Sequence, residues 1–581
     1  MDSLQTNLFI NNEYVVSSGG EALSVHNPKD DSLVTNKVQV ASEQDVDEAV
    51  AAAKAAFPQW KRTPSSRRSA IMLKFADLVE RHKDAIARLE SACMGQPISV
   101  AKGIVELQVA NWRYFAGLTD KIPGETFPEN GDGYFKMVNY EPLGVCAGIA
   151  AWNGTQMFLA WKIAPAVAVG NTFVFKASEK SPLGVLYLGQ LFKEAGFPPG
   201  VVNLISGAAK VGALMASHMD IAKISFTGSA NAGRQIQIAA AKSNLKRVSL
   251  ELGGKSPVLI FDDANLENAV VHNSQGFLLN SGQACVAGSR ILVQRGIAPK
   301  FIDALRAAYI EFSQSMADPA LESTFLGPLA DKSQFGRVMD FLEGAKKDGV
   351  EVLVGGGRKG KEGCFVEPTI LMNPDLTAKV YTDEIFGPVV VIKTFENEEE
   401  AIALANNTSY GLGATIYTND ITRALRVTAE MESGTVSINS SHVLLTETPF
   451  GGKKQSGYGR EGGLEGLKEY LEAKTVHVNM RMFQQYYEDR HAPLALKALP
   501  KISKYVRNYV DQDAMFNNRP GGAPCDVVTE VWWDTKEDYE ECQASCATSQ
   551  LYKEVKADEA RFMDVEAIKI CLVKEKCSEI A

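Results

Sequence analysis

The segment Ile224-Ser-Phe-Thr-Gly-Ser-Ala-Asn-Ala-Gly-Arg234 indicates the fold class of this 581-residue chain. An apolar strand runs into Gly228, Ser229 and Gly233, and a helical run follows from Gln235. Such a turn aims backbone N–H groups and a helix N-terminus at an anion, and a dinucleotide pyrophosphate is a ligand that suits it. Taken alone, a Gly-x-x-x-x-Gly pattern is more often only a turn.

The same alternation of strand and helix extends along most of the chain. Short apolar runs alternate with helical segments over residues 142–227 and again over residues 257–414. This order is typical of βαβ units around parallel sheets, and it predicts two α/β domains. Apolar residues over 42–94 recur at helical spacing, which predicts amphipathic helices. Ligands of such folds bind at the carboxyl ends of the strands.

Composition excludes several classes of protein. The chain is longer than the roughly 250–300 residues that one core supports, so several domains are expected. A formal charge of -10 and a pI near 5.5 argue against a nucleic-acid partner, because phosphate binding needs a basic stripe. The start does not read as a signal peptide, and the apolar runs are too short to span a bilayer, so we expect a cytoplasmic protein with no membrane partner. Nine cysteines without a Cys-x-x-Cys pair predict reduced thiols and no metal site.

A thiol and a carboxylate are the strongest chemical signal. Cys285 lies in Asn280-Ser-Gly-Gln-Ala-Cys-Val-Ala-Gly-Ser-Arg290, and Glu251 precedes it by 34 residues in Leu250-Glu-Leu-Gly-Gly-Lys-Ser-Pro257. A thiol among small residues with a separate carboxylate suits covalent acyl chemistry followed by hydrolysis. Asn153 ends an apolar strand, where its amide could donate to an oxyanion, although an Asx-type turn explains it equally well.

Other charged and aromatic residues follow strands or lie in stiff turns. Lys176 and Glu179 follow an apolar strand, where they could hold ribose hydroxyls, and the carboxylate favours NAD over NADP. Alone, each is more often a solvated loop charge. The turn Glu384-Ile-Phe-Gly-Pro-Val389 places an acid two residues before Phe386. The cluster Gly355-Gly-Gly-Arg-Lys-Gly360 is interpreted as a surface hairpin loop rather than a phosphate site.

These residues stand in an order that is itself informative. With Leu8-Phe-Ile-Asn-Asn-Glu13, Trp161-Lys-Ile-Ala-Pro-Ala166, Phe226-Thr-Gly-Ser229, Gly282-Gln-Ala-Cys285 and Pro449-Phe-Gly-Gly452, the first ~480 residues resemble the aldehyde dehydrogenase superfamily in its NAD(P)-dependent, hydrolytic branch. The resemblance implies an α/β aldehyde dehydrogenase fold. Its parts would be a Rossmann-like cofactor-binding domain at 1–118 and 141–254, an α/β catalytic domain at 255–434, and a β arm for oligomerisation at 119–140 and 470–480.

The resemblance also implies a role for each residue. Cys285 would attack the aldehyde, Asn153 would hold the oxyanion, and Glu251 would activate the water that hydrolyses the thioester. The substrate would be a small-molecule aldehyde, the cofactor NAD, and the enzyme a homo-oligomer, either dimer or tetramer. The expected cofactor-binding residues are Trp152, Lys176, Glu179, Gly207, Gly228, Ser229, Gly233, Leu252, Glu384 and Phe386.

Three positions depart from the family pattern. Ala151 stands where the family usually has proline, so the loop of Asn153 would be less stiff. Ala209 replaces a glycine on the adenine side of the cofactor site. Gly154 replaces a large apolar side chain, with Phe158 and Trp161 one helical turn onward, and this predicts a wider tunnel for a bulky or aromatic aldehyde.

The tail is predicted to be a separate α+β domain at 481–581. Its pattern of helix from Phe483, strands at 505–510 and 526–534, helix at 536–544 and strand at 567–573 is most of a ferredoxin-like unit. The runs 487–493, 530–533 and 558–564 resemble the EthD family of dimeric α/β-barrel proteins. His491 could be an acid or base, but a structural residue at a helix end is the favoured interpretation.

The alternatives concern the product and the tail. A CoA-acylating dehydrogenase is disfavoured, because that branch does not need the hydrolytic Glu251. The tail is expected to be an assembly or substrate-binding and product-binding module. A bifunctional enzyme, whose tail acts on an aromatic or polyketide intermediate, is the other possibility.

Overall fold

The structure is a computed structural model that describes residues 4–441, 444–480, 485–499, 502, 504–509 and 527–562. The chain divides into two compact units. One consists of Met1–Pro123 and Tyr140–Ala473, and the other of Gly124–Asn139 and Lys474–Ala581. Each is described by itself below.

An eight-stranded sheet forms the first half of the larger unit. Its central strands are parallel and buried, and the outer strands pair antiparallel. The alternation over 142–227 therefore predicts these strands correctly, to within about one residue at each end. In spatial order the strands are Gly457–Tyr458, Arg247–Glu251, Lys223–Thr227, Val145–Ile149, Thr172–Lys176, Val202–Ile205, Leu8–Ile10 and Glu13–Val15. A separate hairpin pairs Ala22–His26 with Leu33–Gln39.

Helices pack around this sheet in the pattern that their apolar spacing predicts. The first begins at a capping box, in which the Ser42 hydroxyl accepts from the Asp45 N–H and the Asp45 carboxylate accepts from the Ser42 N–H. The helix Thr155–Ala168 is buried along its whole length, because it lies between the sheet and other helices. The helices of this half are Glu43–Arg62, Ser65–Arg81, Lys83–Met94, Ile98–Ala116, Thr155–Ala168, Leu183–Ala195, Ala209–Ser217 and Ala230–Lys242.

A seven-stranded sheet forms the second half of the larger unit, and all but one of its pairings are parallel. The exception is a hairpin whose connection contains Gly355–Gly360, as the sequence predicts. Its strands in spatial order are Glu351–Val354, Thr369–Met372, Val389–Phe395, Arg290–Gln294, Pro257–Ile260, Gly413–Tyr417 and Thr435–Ile438. The helices are Leu266–Val271, Ala298–Gln314, Lys332–Lys347, Lys379–Thr382, Glu398–Asn406, Ile421–Glu430 and Gly463–Lys468. Short π and 3-10 turns cover His272–Gly276, Leu279–Gly282 and Lys454–Ser456.

A three-stranded sheet joins the two segments predicted to form the arm. Its strands are Leu471–Asn479, Tyr134–Pro142 and Glu125–Phe127 in spatial order. The Met480 N–H also donates to the Gly133 carbonyl at 3.0 Å. The domain and arm boundaries proposed from the sequence stay a prediction.

The C-terminal segment has mixed α and β structure. A π turn at Tyr487–His491 leads into helix Ala492–Ala498, and strands Lys504–Tyr509 and Val527–Trp532 pair antiparallel. Helix Lys536–Thr548 ends four residues beyond its predicted end. A further helix, Gln550–Phe562, was not predicted from the sequence. The predicted helix start at Phe483 and the predicted strand at 567–573 lie outside the described residues.

Candidate active site

The loop that carries Cys285 is held in an unusual backbone conformation. Asn280, Ser281 and Gly282 all have positive φ, at 53°, 57° and 69°. A Cβ at Gly282 would lie 2.4 Å from the Gly387 carbonyl oxygen, so only glycine fits there. The Ser281 hydroxyl donates to the Gly327 carbonyl at 2.8 Å. This turn presents Cys285, which is partly exposed, at the end of the loop.

Glu251 ends a strand of the eight-stranded sheet and is only 4% exposed. The turn that follows it touches the cysteine loop, because a Cβ at Gly254 would lie 2.3 Å from the Cys285 carbonyl oxygen. Apart from the Cys285 thiol, neither carboxylate oxygen of Glu251 has a hydrogen-bond partner among the described residues. The structure therefore brings the thiol and the carboxyl together from two different sheets.

Burial and neighbouring charges perturb both groups. Burial raises the pKa of the Cys285 thiol well above its usual value, and the negative charges of Glu251 and Glu384 add to this effect. Burial also raises the pKa of Glu251 to about 8, with the charge of Glu461 next in importance and the Lys162 ammonium acting in the opposite direction. In the ligand-free protein at neutral pH, the thiol is therefore protonated and the carboxyl is mostly neutral.

Asn153 reaches the same place from a third element. Its side-chain amide donates to the Gln283 carbonyl at 3.1 Å, two residues before Cys285. The Thr155 hydroxyl, at the start of the next helix, donates to the Trp152 carbonyl at 3.2 Å. A primary amide has two N–H groups, so one of them holds the loop while the other can serve a ligand. The structure thus places Asn153 beside the loop that carries Cys285.

Sequence reasoning missed a buried ion pair beside Glu251. Lys162 is fully buried, forms an ion pair with Glu461, and donates to the Thr227 hydroxyl at 2.8 Å and the Ser225 hydroxyl at 3.1 Å. The available signal was the lysine itself, because a charged residue inside an apolar helix needs a buried partner. The identity of that partner could not be predicted from the sequence, because Glu461 lies 299 residues away.

Glycines and one serine shape the predicted phosphate turn. The Ser229 hydroxyl accepts from the Ala232 N–H at 3.3 Å and caps helix Ala230–Lys242. A Cβ at Gly233 would lie 2.7 Å from the Leu252 side chain, and one at Gly228 would lie 2.6 Å from the Phe226 ring. Gly207 has a φ of +145° immediately before Ala208, which caps helix Ala209–Ser217. Two helix N-termini with close-packed backbone therefore follow the carboxyl ends of two parallel strands of the same sheet, Val202–Ile205 and Lys223–Thr227.

Lys176 and Glu179 lie together at the end of the strand Thr172–Lys176. Their ammonium and carboxylate groups are 3.9 Å apart, and Lys176 is buried while Glu179 is exposed. Burial lowers the pKa of Lys176 to about 8, and the Glu179 charge opposes that shift. The lysine also donates to the Ala177 carbonyl at 2.9 Å. This pair offers one donor and one acceptor, which suits a ribose diol.

Glu384, Phe386 and Trp152 form the third part of the cradle. The Gly254 N–H donates to the Glu384 carboxylate at 3.0 Å, and burial raises the pKa of that carboxyl to about 7. Phe386 has a φ of 61°, a strained value for an aromatic residue. Its ring meets the Trp152 ring edge to face, with centroids 5.3 Å apart. Helix N-termini, a buried lysine and a carboxylate near the thiol together fit a dinucleotide.

Comparison with known proteins decides the family. The aldehyde dehydrogenase family matches residues 14–476. The chain belongs to the aldehyde dehydrogenase family. It is 46% identical over 477 residues to an aldehyde dehydrogenase of Emericella nidulans, covering 81% of this chain and 95% of that protein. It is 45% identical over 482 residues to human retinal dehydrogenase 2, covering 82% and 92%.

Solved structures support the same assignment. PnpE from Pseudomonas sp. WBC-3, solved in complex with nicotinamide adenine dinucleotide, is 41% identical. Its TM-score is 0.79, over 82% of this chain and 98% of PnpE. The protein is therefore an aldehyde dehydrogenase with NAD as its cofactor. The described residues contain no helix long and apolar enough to cross a membrane.

This aldehyde dehydrogenase also contains a C-terminal EthD domain, which matches residues 478–566. His491 is buried there, and its Nδ1 lies 3.2 Å from the buried Asp558 carboxylate. The Tyr486 hydroxyl donates to the same carboxylate at 2.6 Å. His491 ends the π turn at Tyr487–His491 and precedes helix Ala492–Ala498, as the structural interpretation of this residue expects.

Proposed function

We propose that the protein oxidises a bulky or aromatic aldehyde to its carboxylic acid in the cytoplasm, as a homo-oligomer, with Cys285 as nucleophile. One observation carries the catalytic part. The Glu251 carboxyl is buried beside the Cys285 thiol, and apart from that thiol neither of its oxygens has a hydrogen-bond partner among the described residues. A group kept in that state suits proton transfer better than a structural role, because a buried structural carboxyl is normally hydrogen-bonded.

The reaction divides between three side chains. The Cys285 sulfur attacks the aldehyde carbon and forms a thiohemiacetal. The Asn153 amide and the Cys285 backbone N–H hold the negative oxygen. NAD, when bound, supplies a positive ring that favours the thiolate and accepts the hydride that leaves the aldehyde carbon. Glu251 then takes a proton from water, and the resulting hydroxide attacks the thioester carbonyl and releases the acid from the sulfur.

The charges of Lys162 and Glu461 change the pKa of Glu251. The ammonium of Lys162 favours the ionised form of Glu251, and the carboxylate of Glu461 opposes it. A general base works best when its pKa lies near the operating pH. The effect of Glu461 exceeds that of Lys162, so the pair adds to the rise in the pKa of Glu251 that burial causes, and Lys162 limits that rise.

We assign the cofactor cradle residue by residue. Lys176 and Glu179 would hold the adenosine ribose, and Glu384, Phe386 and Trp152 would hold the nicotinamide half. Glu179 supports a preference for NAD, since its carboxylate would repel a 2′-phosphate. The remaining assigned residues shape the phosphate turns and are Gly207, Gly228, Ser229, Gly233 and Leu252.

The substrate class is inferred from the apolar wall near the thiol. Phe158 and Trp161 are buried with ring centroids 6.0 Å apart, and Trp161 packs on Phe450 at 5.1 Å. A Cβ at Gly154 would already lie 3.4 Å from the Phe158 ring, so a large side chain there would displace that wall. Glycine leaves the space for substrate. That a 45% identical relative is named retinal dehydrogenase 2 supports a bulky aldehyde.

The proposal is tested by an aldehyde screen, by substitution of Cys285 and by product analysis. NADH production is measured over aliphatic, aromatic and polyenyl aldehydes, and we expect the highest kcat/KM for the larger ones. Cys285→Ala should abolish NADH formation with every aldehyde. A preference for short aliphatic aldehydes would contradict the substrate assignment and leave the chemistry intact. Product analysis separates hydrolysis from CoA acylation, which Glu251 disfavours.

For the C-terminal domain we propose a role in assembly or in binding substrate or product. A separate activity on an aromatic or polyketide intermediate is the second candidate, and the buried pair of His491 and Asp558 favours it, because a carboxylate fixes the tautomer of a histidine that moves protons. Removal of the tail distinguishes the two, as described in the Discussion.

A further inference from the structure

The turn between helices Lys83–Met94 and Ile98–Ala116 places a buried amide against the active site. Gln96 is 2% exposed, and its Nε2 donates to the Asn153 carbonyl at 3.3 Å and to the Asn280 side-chain oxygen at 3.2 Å. The backbone of this turn packs closely against the Pro328 ring, since a Cβ at Gly95 would lie only 2.5 Å from that ring. The packing of this turn therefore holds the backbone of Gln96 in place, independently of its two side-chain hydrogen bonds.

Asn280 continues the connection toward the nucleophile. Its Nδ2 donates to the Asn153 carbonyl at 3.1 Å and to the Gln283 carbonyl at 3.3 Å. Gln283 returns a bond from its Nε2 to the Asn280 carbonyl at 3.0 Å, and its side-chain oxygen accepts from the Ala330 N–H at 3.0 Å. Both ends of the Gln283 side chain are therefore tied down two residues before Cys285.

These bonds converge on the segment that presents the oxyanion donor. The Asn153 carbonyl accepts from both Gln96 and Asn280, while the Asn153 side chain donates to Gln283. The flanking residues Ala151 and Gly154 do not fix φ as a proline would. The segment consequently depends on side chains from elsewhere in the fold for its stiffness.

We propose that Gln96 is a positioning residue that, through Asn280, fixes the Asn153 amide relative to the Cys285 sulfur. This inference rests on the proposed role of Asn153 as oxyanion donor. Gln96 touches neither the thiol nor the carboxyl of Glu251 in any described contact. Its effect on the rate is exerted through geometry, and a displacement of about 1 Å in a catalytic group can cost about 100-fold in rate.

The test is a double-mutant cycle of Gln96→Met and Asn153→Ala in the full chain. Methionine keeps the length of the side chain and removes the donor. Asn153→Ala should lower kcat about 10²- to 10³-fold, as loss of an oxyanion donor does elsewhere. Gln96→Met should lower kcat about 10- to 100-fold, with the KM for the aldehyde changed less than about threefold. In the Asn153→Ala background, Gln96→Met should change kcat less than about threefold, because the group that it positions is gone.

Two further variants control for folding. Gln96→Glu has nearly the shape of glutamine but presents a second acceptor to the Asn153 carbonyl, and it should show the same loss of kcat. Asn171→Ala removes an equally buried amide whose Nδ2 donates to the Tyr470 carbonyl at 2.9 Å, away from the thiol. It should lower the melting temperature without a selective loss of kcat. Dissociation constants for NAD, measured by fluorescence, should stay unchanged in both Gln96 variants.

The outcomes separate the two claims. If Asn153→Ala leaves kcat unchanged, the oxyanion role is wrong and the positioning role fails with it. If Asn153→Ala lowers kcat but Gln96→Met and Gln96→Glu do not, only the positioning role is overturned. Equal losses for Gln96→Met in both backgrounds would also overturn it, because the effect would then not pass through Asn153.

Discussion

Replacement of Glu251 by glutamine removes the proposed general base and preserves the shape of the side chain. Apart from the Cys285 thiol, the carboxylate has no hydrogen-bond partner among the described residues, so the amide disturbs at most that one contact. The raised pKa of about 8 shows that the folded protein disfavours the ionised form, and the neutral amide avoids that cost. We therefore expect Glu251→Gln to fold normally and to melt within about 1 °C of the parent at pH 8, a shift of about 1 kcal/mol or less.

The catalytic effect should be far larger. Positioned general bases contribute about 10²- to 10⁴-fold, or about 3–5 kcal/mol of barrier. The sign of the pH dependence follows from the group that acts, since the carboxylate and not the acid accepts the proton. With a pKa of about 8, hydrolysis in the parent is retained above pH 8 and lost as the pH falls through it. Roughly a tenth of the carboxyls are ionised at pH 7 and half at pH 8, so the hydrolysis rate should rise about fivefold between them.

Rapid-mixing absorbance of NADH separates the two half-reactions. Glu251→Gln should release up to one NADH per active site and then stall, with later turnover about 10²- to 10⁴-fold below the parent and without the rise between pH 7 and pH 8. Cys285→Ala is the control and should show neither a burst nor turnover. Sustained turnover of Glu251→Gln within about threefold of the parent would refute the assigned role. A rise in its turnover between pH 7 and pH 8 equal to that of the parent would refute it as well.

Three shorter predictions concern specificity and the tail. Gly154→Leu should lower kcat/KM for aromatic aldehydes about 10- to 100-fold relative to propanal, because about 1.5–3 kcal/mol of apolar contact with the substrate is lost. Gly154→Ala is the control and should have little effect. An unchanged ratio of kcat/KM between aromatic aldehydes and propanal in Gly154→Leu would contradict the tunnel assignment. Glu179→Gln should raise the ratio of kcat/KM for NADP over NAD about tenfold, since one repulsive charge is removed, and equal efficiency with both cofactors in the parent would show that Glu179 does not discriminate. A chain that ends at Met480 should differ from the full chain in oligomeric mass by light scattering or in aldehyde KM. If neither changes, assembly and substrate capture through the tail are wrong and a separate activity remains.

Local pattern predicted the parts of the site that lie at element ends. The glycine turn after Thr227 and the amide after Ile149 each follow a buried strand, and parallel strands place their carboxyl ends at one edge. Glu251 ends a strand that the sequence pattern did not predict. The buried partners were not predictable in this way. Lys162 and Glu461 meet across 299 residues, and no periodic signal surrounds Glu461. Gln96 and Asn280, 184 residues apart, were missed for the same physical reason, because their contact depends on how whole elements pack.

Two glycines, Gly253 and Gly254, lie in the turn that follows the strand of Glu251. Their function in the structure is close approach. A Cβ at Gly253 would lie 2.3 Å from a Glu384 carboxylate oxygen, and one at Gly254 would lie 2.3 Å from the Cys285 carbonyl oxygen. The Gly254 N–H holds the same carboxylate at 3.0 Å. A methyl group at Gly254 must move the backbone of the Cys285 loop, and one at Gly253 must displace the Glu384 carboxylate, so the pair of glycines permits the close approach of the proposed base, the nucleophile and the proposed cofactor acid.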